Sequence, residues 1–96
     1  MNTQIQYLPD KVLVVIDGEL DTPSCEAFKA SLSPLMERED YNIEIDMSRV
    51  SYISSRGLRI LLSLVQSQTK GSVRAFGVCP AVMEVFQLTG FDKILL

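Results

Sequence analysis

The chain has 96 residues, 47% of them hydrophobic and 22% charged, with a formal net charge of -3. This is room for one modest core with the balance of a folded globular domain, which excludes a multi-step enzyme and a disordered chain; the longest aliphatic run, Val12 to Ile16, is far too short to cross a bilayer. The scattered basic residues offer no patch for a phosphate backbone, so direct nucleic-acid binding is not expected and a protein partner is.

In chain order, QIQYL and KVLVVIDG read as two short strands separated by the turn-forming pair Pro9 and Asp10, an N-terminal hairpin. Thr22 followed by Pro23 has the form of an N-cap with proline at the first helical position. Cys25, Phe28, Leu32, Leu35 and Met36 then share one face of a first helix that ends near Arg38. NIEIDMS alternates, with Ile43, Ile45 and Met47 on one side and Glu44, Asp46 and Ser48 on the other, so the third strand has one partly wet face. A second helix is predicted from Ser55 to about Lys70, with Gly71 as its left-handed stop. SVRAFGVC is a strand. Pro80 fits the first turn of a third helix, striped by Val82, Val85 and Phe86 and ended by Gly90, and KILL is a last short strand. The order β-β-α-β-α-β-α-β, with two strand-helix-strand crossovers, predicts an α/β domain over residues 1–96, a small mixed sheet with helices packed on it. MNTQIQYLPDK lacks the apolar centre of a signal peptide, which points to the cytoplasm. Cys25 and Cys79 have neither metal-ligand nor redox spacing and read as small apolar core residues without a disulfide.

VSYISSRGLRILL, Val50 to Leu62, places two serines, an arginine and a glycine at the carboxyl end of a strand and the amino end of a helix, where sites gather in open α/β sheets. The unpaired first-turn amides and the helix dipole there tolerate an anion, so a phosphoserine fits; a simple N-cap at Ser54 or Ser55 fits as well. Gly57 in the first turn implies either a close backbone approach or a surface kept clear for a partner. Leu58, Leu61, Leu62 and Val65 follow i, i+3, i+4, i+7 and are expected to pack on the sheet. Ile60 and Leu64 project from the other side of the helix with Arg56, Ser63 and Ser67, and are read as the apolar centre of a partner site with Ser55 at its edge.

Catalysis is not expected. The sequence has no histidine, and YISSRGL lacks the flanking glycines of a hydrolase nucleophile elbow. Glu19 and Asp21 read as a turn before a helix start, where negative charge is favourable. No glycine-rich phosphate loop, zinc spacing or calcium loop is present, so no cofactor and no metal are assigned.

GELD at Gly18–Asp21, DMSRVSYISSRGLRILL at Asp46–Leu62 and CPAVMEVFQLTGFDKIL at Cys79–Leu95, with the spacings between them, resemble the STAS domain of the anti-sigma factor antagonist family over nearly the whole chain. The resemblance implies a non-catalytic partner-switching regulator that binds an anti-sigma factor that is also a serine kinase, and is released by phosphorylation. A serine phosphatase would reverse the switch. It places the acceptor at Ser55, two residues before Gly57; the partner site is read at Asp21, Ser54, Ser55, Arg56 and Gly57, with Ile60 and Leu64 added from the helical spacing alone. The family pattern usually reads Asp-Ser-Ser-Gly where this chain has Ser54-Ser55-Arg56-Gly57. Ser54 is thus a second candidate acceptor, and Arg56 is open to pairing with a phosphate, to solvent or to an acidic partner. Some single-domain members that look like this serve as fixed, unphosphorylated subunits, for example on the ATPase of a lipid transporter, which is the alternative reading.

Overall fold

The computed structural model describes residues 1–96. Strands β1 (Asn2–Tyr7) and β2 (Val12–Asp17) form the antiparallel hairpin, closed at the Pro9-Asp10 turn by the Leu8 amide donating to the Lys11 carbonyl at 2.8 Å. Then follow α1 (Cys25–Met36), β3 (Asn42–Arg49), α2 (Ser55–Ser67), β4 (Ser72–Phe76), α3 (Pro80–Thr89) and α4 (Phe91–Leu95). The sheet order is β1-β2-β3-β4, with β3 parallel to both β2 and β4. Because strands 2, 3 and 4 are laid down in order across the sheet, two crossovers of the same right hand put α1 and α2 on the same face. The alternation agrees: Val12, Val14 and Ile16, Ile43, Ile45 and Met47, and Val73 and Ala75 are buried toward the helices. Leu13, Val15, Glu44 and Asp46 on the opposite face are only half-buried, and Arg74 and Phe76 are exposed. The core closes over Phe28, Leu32 and Leu35 of α1, Leu61 and Leu64 of α2, Phe86 of α3 and Leu95 of α4.

Three expectations are corrected. KILL is not a strand: its first three residues lie in α4, and the element order ends α-α. Gly90 adopts φ 82°, which stops α3, and the chain turns into a new helix in which Phe91 and Leu95, one turn apart, are buried. Four residues are too few to separate a period of two from one of 3.6.

Helix α2 ends at Ser67, and Gly71 is not its left-handed stop; the glycines with positive φ are Gly18, Gly77 and Gly90. A Cβ at Gly71 would lie 1.8 Å from the Tyr41 carbonyl oxygen, so the residue is required by a close backbone approach. The end of α2 is instead organised by Gln68, which is buried. Its amide nitrogen donates to the Leu35 and Arg38 carbonyls at 2.9 and 2.8 Å and its oxygen accepts from the Tyr41 amide at 2.9 Å. One side chain thereby satisfies carbonyls at the end of α1 and an amide before β3.

The buried face of α2 is also turned. Gly57, Leu58, Ile60, Leu61 and Leu64 are buried, while Leu62 and Val65 are only half-buried. At 3.6 residues per turn, this arc is centred about 80° from the one expected from Leu58, Leu61, Leu62 and Val65. The reason is lateral: α2 packs on α1 as well as over the sheet, so Ile60 (7% exposed) and Leu64 (0%) belong to the core and not to an apolar partner surface.

Candidate functional site

The segment that joins β2 to α1 and the loop that joins β3 to α2 are bound together at Leu20. The Leu20 amide donates to the Tyr52 carbonyl at 2.9 Å and the Ser54 amide donates to the Leu20 carbonyl at 2.8 Å, a parallel bridge that sets Leu20 against Ile53. Both side chains are buried, which draws GELD and YISSRG into one cluster at the carboxyl end of the sheet. Gly57 completes it. A Cβ there would meet Ile53 Cγ1 at 3.2 Å and Leu20 Cβ and the Leu20 carbonyl oxygen at 3.3 Å, so the glycine lets the first turn of α2 lie against this bridge. It is a packing residue and presents no surface.

The two serines are placed oppositely. Ser54, 8% exposed, has extended backbone and is the N-cap of α2: its Oγ accepts from the Gly57 amide at 3.1 Å and its carbonyl accepts from the Leu58 amide at 3.0 Å. Its hydroxyl also lies 3.7 Å from the buried Cys25 thiol. Ser55, the first residue of α2, is exposed, and its hydroxyl makes no hydrogen bond within the chain. The cap and the free hydroxyl, interchangeable in the sequence, are therefore different residues.

Asp21 belongs to the cluster through its neighbour Leu20, and it is a capping residue. Its carboxylate accepts from the Ser24 amide at 3.1 Å at the start of a short 3-10 turn, Thr22–Ser24, which leads into α1. The cap is therefore Asp21, where the sequence suggests Thr22. Hydrogen bonding from Ser24, by its side chain first and its amide second, holds the Asp21 carboxyl below the usual carboxylate range. Arg56 is half exposed and ion-paired with Glu26 of α1, so it joins the two crossover helices at the surface. Beside this pair a groove of about 190 Å³ lies between α1 and α2, lined by Lys29, Arg56, Arg59, Ile60 and Ser63. No three histidine, cysteine, aspartate or glutamate side chains come together as metal ligands, and no helix is long and apolar enough to cross a membrane.

The family model described as "Mlab, STAS domain" matches residues 3–96. The chain belongs to the STAS domain family. This STAS domain is 26% identical over 97 residues to the anti-sigma-B factor antagonist of Bacillus subtilis, across 99% of the chain and 88% of that relative. It is also similar to the crystal structure of an anti-sigma factor antagonist from Mycobacterium paratuberculosis, at 26% identity and a TM-score of 0.81, covering 98% and 81% of the two chains. The phosphorylated form of SpoIIAA, a Bacillus cell fate determinant, shares the fold at 20% identity and a TM-score of 0.70, with 99% and 89% covered. Four features of the site in this STAS domain are not legible in local sequence pattern: the Glu26–Arg56 pair, the Cys25–Ser54 contact, the Leu20 bridge and the placement of Lys29 beside Arg59. Each joins residues far apart in the chain, and neither periodicity nor a motif signals them.

Proposed function

We propose that this STAS domain is an anti-sigma factor antagonist, a non-catalytic cytoplasmic regulator that binds an anti-sigma factor acting also as a serine kinase, and that phosphorylation of Ser55 releases it. The observation that carries the reading is the contrast between the serines: Ser55 is exposed with a free hydroxyl at the start of α2, whereas Ser54 is buried with its hydroxyl committed to the Gly57 amide. The names of the relatives in Bacillus and Mycobacterium support the role, and the phosphorylated SpoIIAA structure supports the compatibility of the fold with a phosphate. A hydrolytic serine would need a base, and Ser55 has no hydrogen-bond acceptor in contact.

With Ile60 and Leu64 in the core, the partner surface around Ser55 is polar: Arg56, Arg59 and Ser63 on α2, with the half-exposed ring of Tyr52 just before the helix. A phosphate there adds roughly 1.5 to 2 negative charges, which the helix amino terminus tolerates and a docked partner must desolvate or oppose. The switch is thus local to the interface. A phosphatase resets it.

Incubation with a candidate anti-sigma kinase and ATP should add one phosphate, kept in Ser54→Ala and lost in Ser55→Ala by mass spectrometry, with affinity for the kinase falling as the phosphate appears. A phosphate that survives Ser55→Ala refutes the assignment. Steady co-purification with a transporter ATPase and no phosphate in any condition would establish the fixed subunit instead.

A further inference from the structure

Nine lysines and arginines are spread over this acidic chain, and most are already engaged. Five are ion-paired: Lys11, Arg38, Arg49, Arg56 and Lys70. Arg74 reaches the Leu96 carbonyl. Of the three left, Lys93 sits on α4, and the other two, Lys29 of α1 and Arg59 of α2, line the same groove between the crossover helices. Two free cations that share a groove, with the carboxylate nearest to Lys29 in sequence, Glu26, already held by Arg56, form a site of uncompensated positive charge.

Its position relative to Ser55 follows from helix geometry. Arg59 is four residues after Ser55, so their Cβ atoms are about 5–6 Å apart on one face. Long side chains on a helix lean back toward the amino terminus and cover the preceding turn, which carries the Arg59 guanidinium toward Ser55 and away from the carboxyl end. Arg56, the immediate neighbour in sequence, is drawn instead to Glu26. Ser63 and the edge of Ile60 complete the groove without adding negative charge.

We propose that this groove receives the phosphate of phosphorylated Ser55, with Arg59 as the principal ligand through its forked guanidinium and Lys29 contributing from across the groove. The proposal rests on the reading of Ser55 as the modified residue and adds what the modification does. The phosphate folds back onto its own domain, occupies the free cations and removes them from the surface that a partner would meet. The charged side chains on the surrounding elements are Arg56 and Arg59 on α2, Glu26 and Lys29 on α1, and Glu19 and Asp21 between β2 and α1, so arginine and lysine at 59 and 29 are the cations left to answer the dianion.

The test needs neither kinase nor partner. Full-length protein carrying phosphoserine at position 55, installed during synthesis, is titrated by phosphorus NMR beside Arg59→Gln, Lys29→Gln and Arg56→Gln versions of the same phosphoprotein. The phosphate's second ionisation should fall at lower pH in the parent than in Arg59→Gln, by about half a unit for a surface pair of this kind. Lys29→Gln should recover a smaller part, and Arg56→Gln less than Arg59→Gln. The Arg59 Nε–H resonance should shift in step with the phosphate. The helix terminus is common to all variants and cancels in these differences. An Arg59→Gln titration that superimposes on the parent, or a full effect from Arg56→Gln alone, overturns the assignment. Failure of every kinase to modify Ser55 would remove the proposed switch and leave this measurement standing, so the two claims fail separately.

Discussion

Replacement of Leu64 by alanine separates the observed orientation of α2 from the one that its spacing suggests. Leu64 is 0% exposed on the side of α2 that faces α1, with Ile60 one turn before it at 7%. Truncation of so enclosed a leucine removes its transfer free energy and leaves a cavity, a cost of about 2–5 kcal/mol. A domain of this size holds roughly 5–15 kcal/mol in total and loses about 4–8 °C of melting temperature per kcal/mol, so a loss of about 3 kcal/mol lowers the melt by roughly 12–24 °C. Leu62→Ala and Val65→Ala remove half-buried side chains and should cost about 1 kcal/mol each. Urea denaturation of the four variants, Ile60→Ala included, is the assay, with a fall in midpoint at unchanged slope as the sign of a pure stability change. If Leu62→Ala proved the most damaging variant, and Ile60→Ala and Leu64→Ala melted with the parent, α2 would be rotated by about 80° from the orientation described and the partner face would regain its apolar centre.

Ser54→Ala should cost about 1 kcal/mol, since the Gly57 amide loses its cap, and Ser54→Asp should restore most of it because aspartate caps equally well; thermal melts decide, and no loss in Ser54→Ala would refute the capping role. Gly71→Ala should destabilise by roughly 1–3 kcal/mol or more, because the clash is with the Tyr41 backbone and not with a flexible side chain, and the Lys70–Glu39 and Ser72–Tyr41 backbone hydrogen bonds sit on either side of it; an unchanged melt would mean that this approach is looser than described. Asp21 titrates below the ordinary carboxylate range in the folded state because the Ser24 side chain, and then its amide, hydrogen-bond to it, and Asp46 does so because of the Ser48 side chain and amide. Their contributions are present above the unfolded-state value and are lost as pH falls through the folded one, so stability should decline on acidification below about pH 4. Asp21→Asn should flatten part of that decline in denaturation curves taken at several pH values; an identical acid limb would exclude the Asp21 cap as its source.

Much of this protein is written locally. The strand alternation of β3, proline at the entry of α3 and glycine at its exit are rules of backbone sterics and of one-sided burial, and they act within a few residues. The three family motifs are equally local, and they led to the fold and to the start of α2. What the sequence left open was decided wherever two distant segments meet. Helix α2 is apolar over Leu58, Ile60, Leu61, Leu62, Leu64 and Val65, an arc wider than any single neighbour can cover, and only the presence of α1 beside the sheet selects which part is buried. Ser54 and Ser55 are the same residue type one step apart; the Leu20–Ile53 bridge turns the first inward as a cap and leaves the second in solvent. Gly71 looks like a helix stop until Tyr41, thirty residues earlier, occupies the space where its Cβ would be. Arg56 has no assigned partner in its own helix because its counter-charge, Glu26, lies on α1. Propensity and capping are properties of neighbours in the chain, whereas burial, close approach and charge pairing are properties of neighbours in space, and at this site the second set determines which residues face a partner.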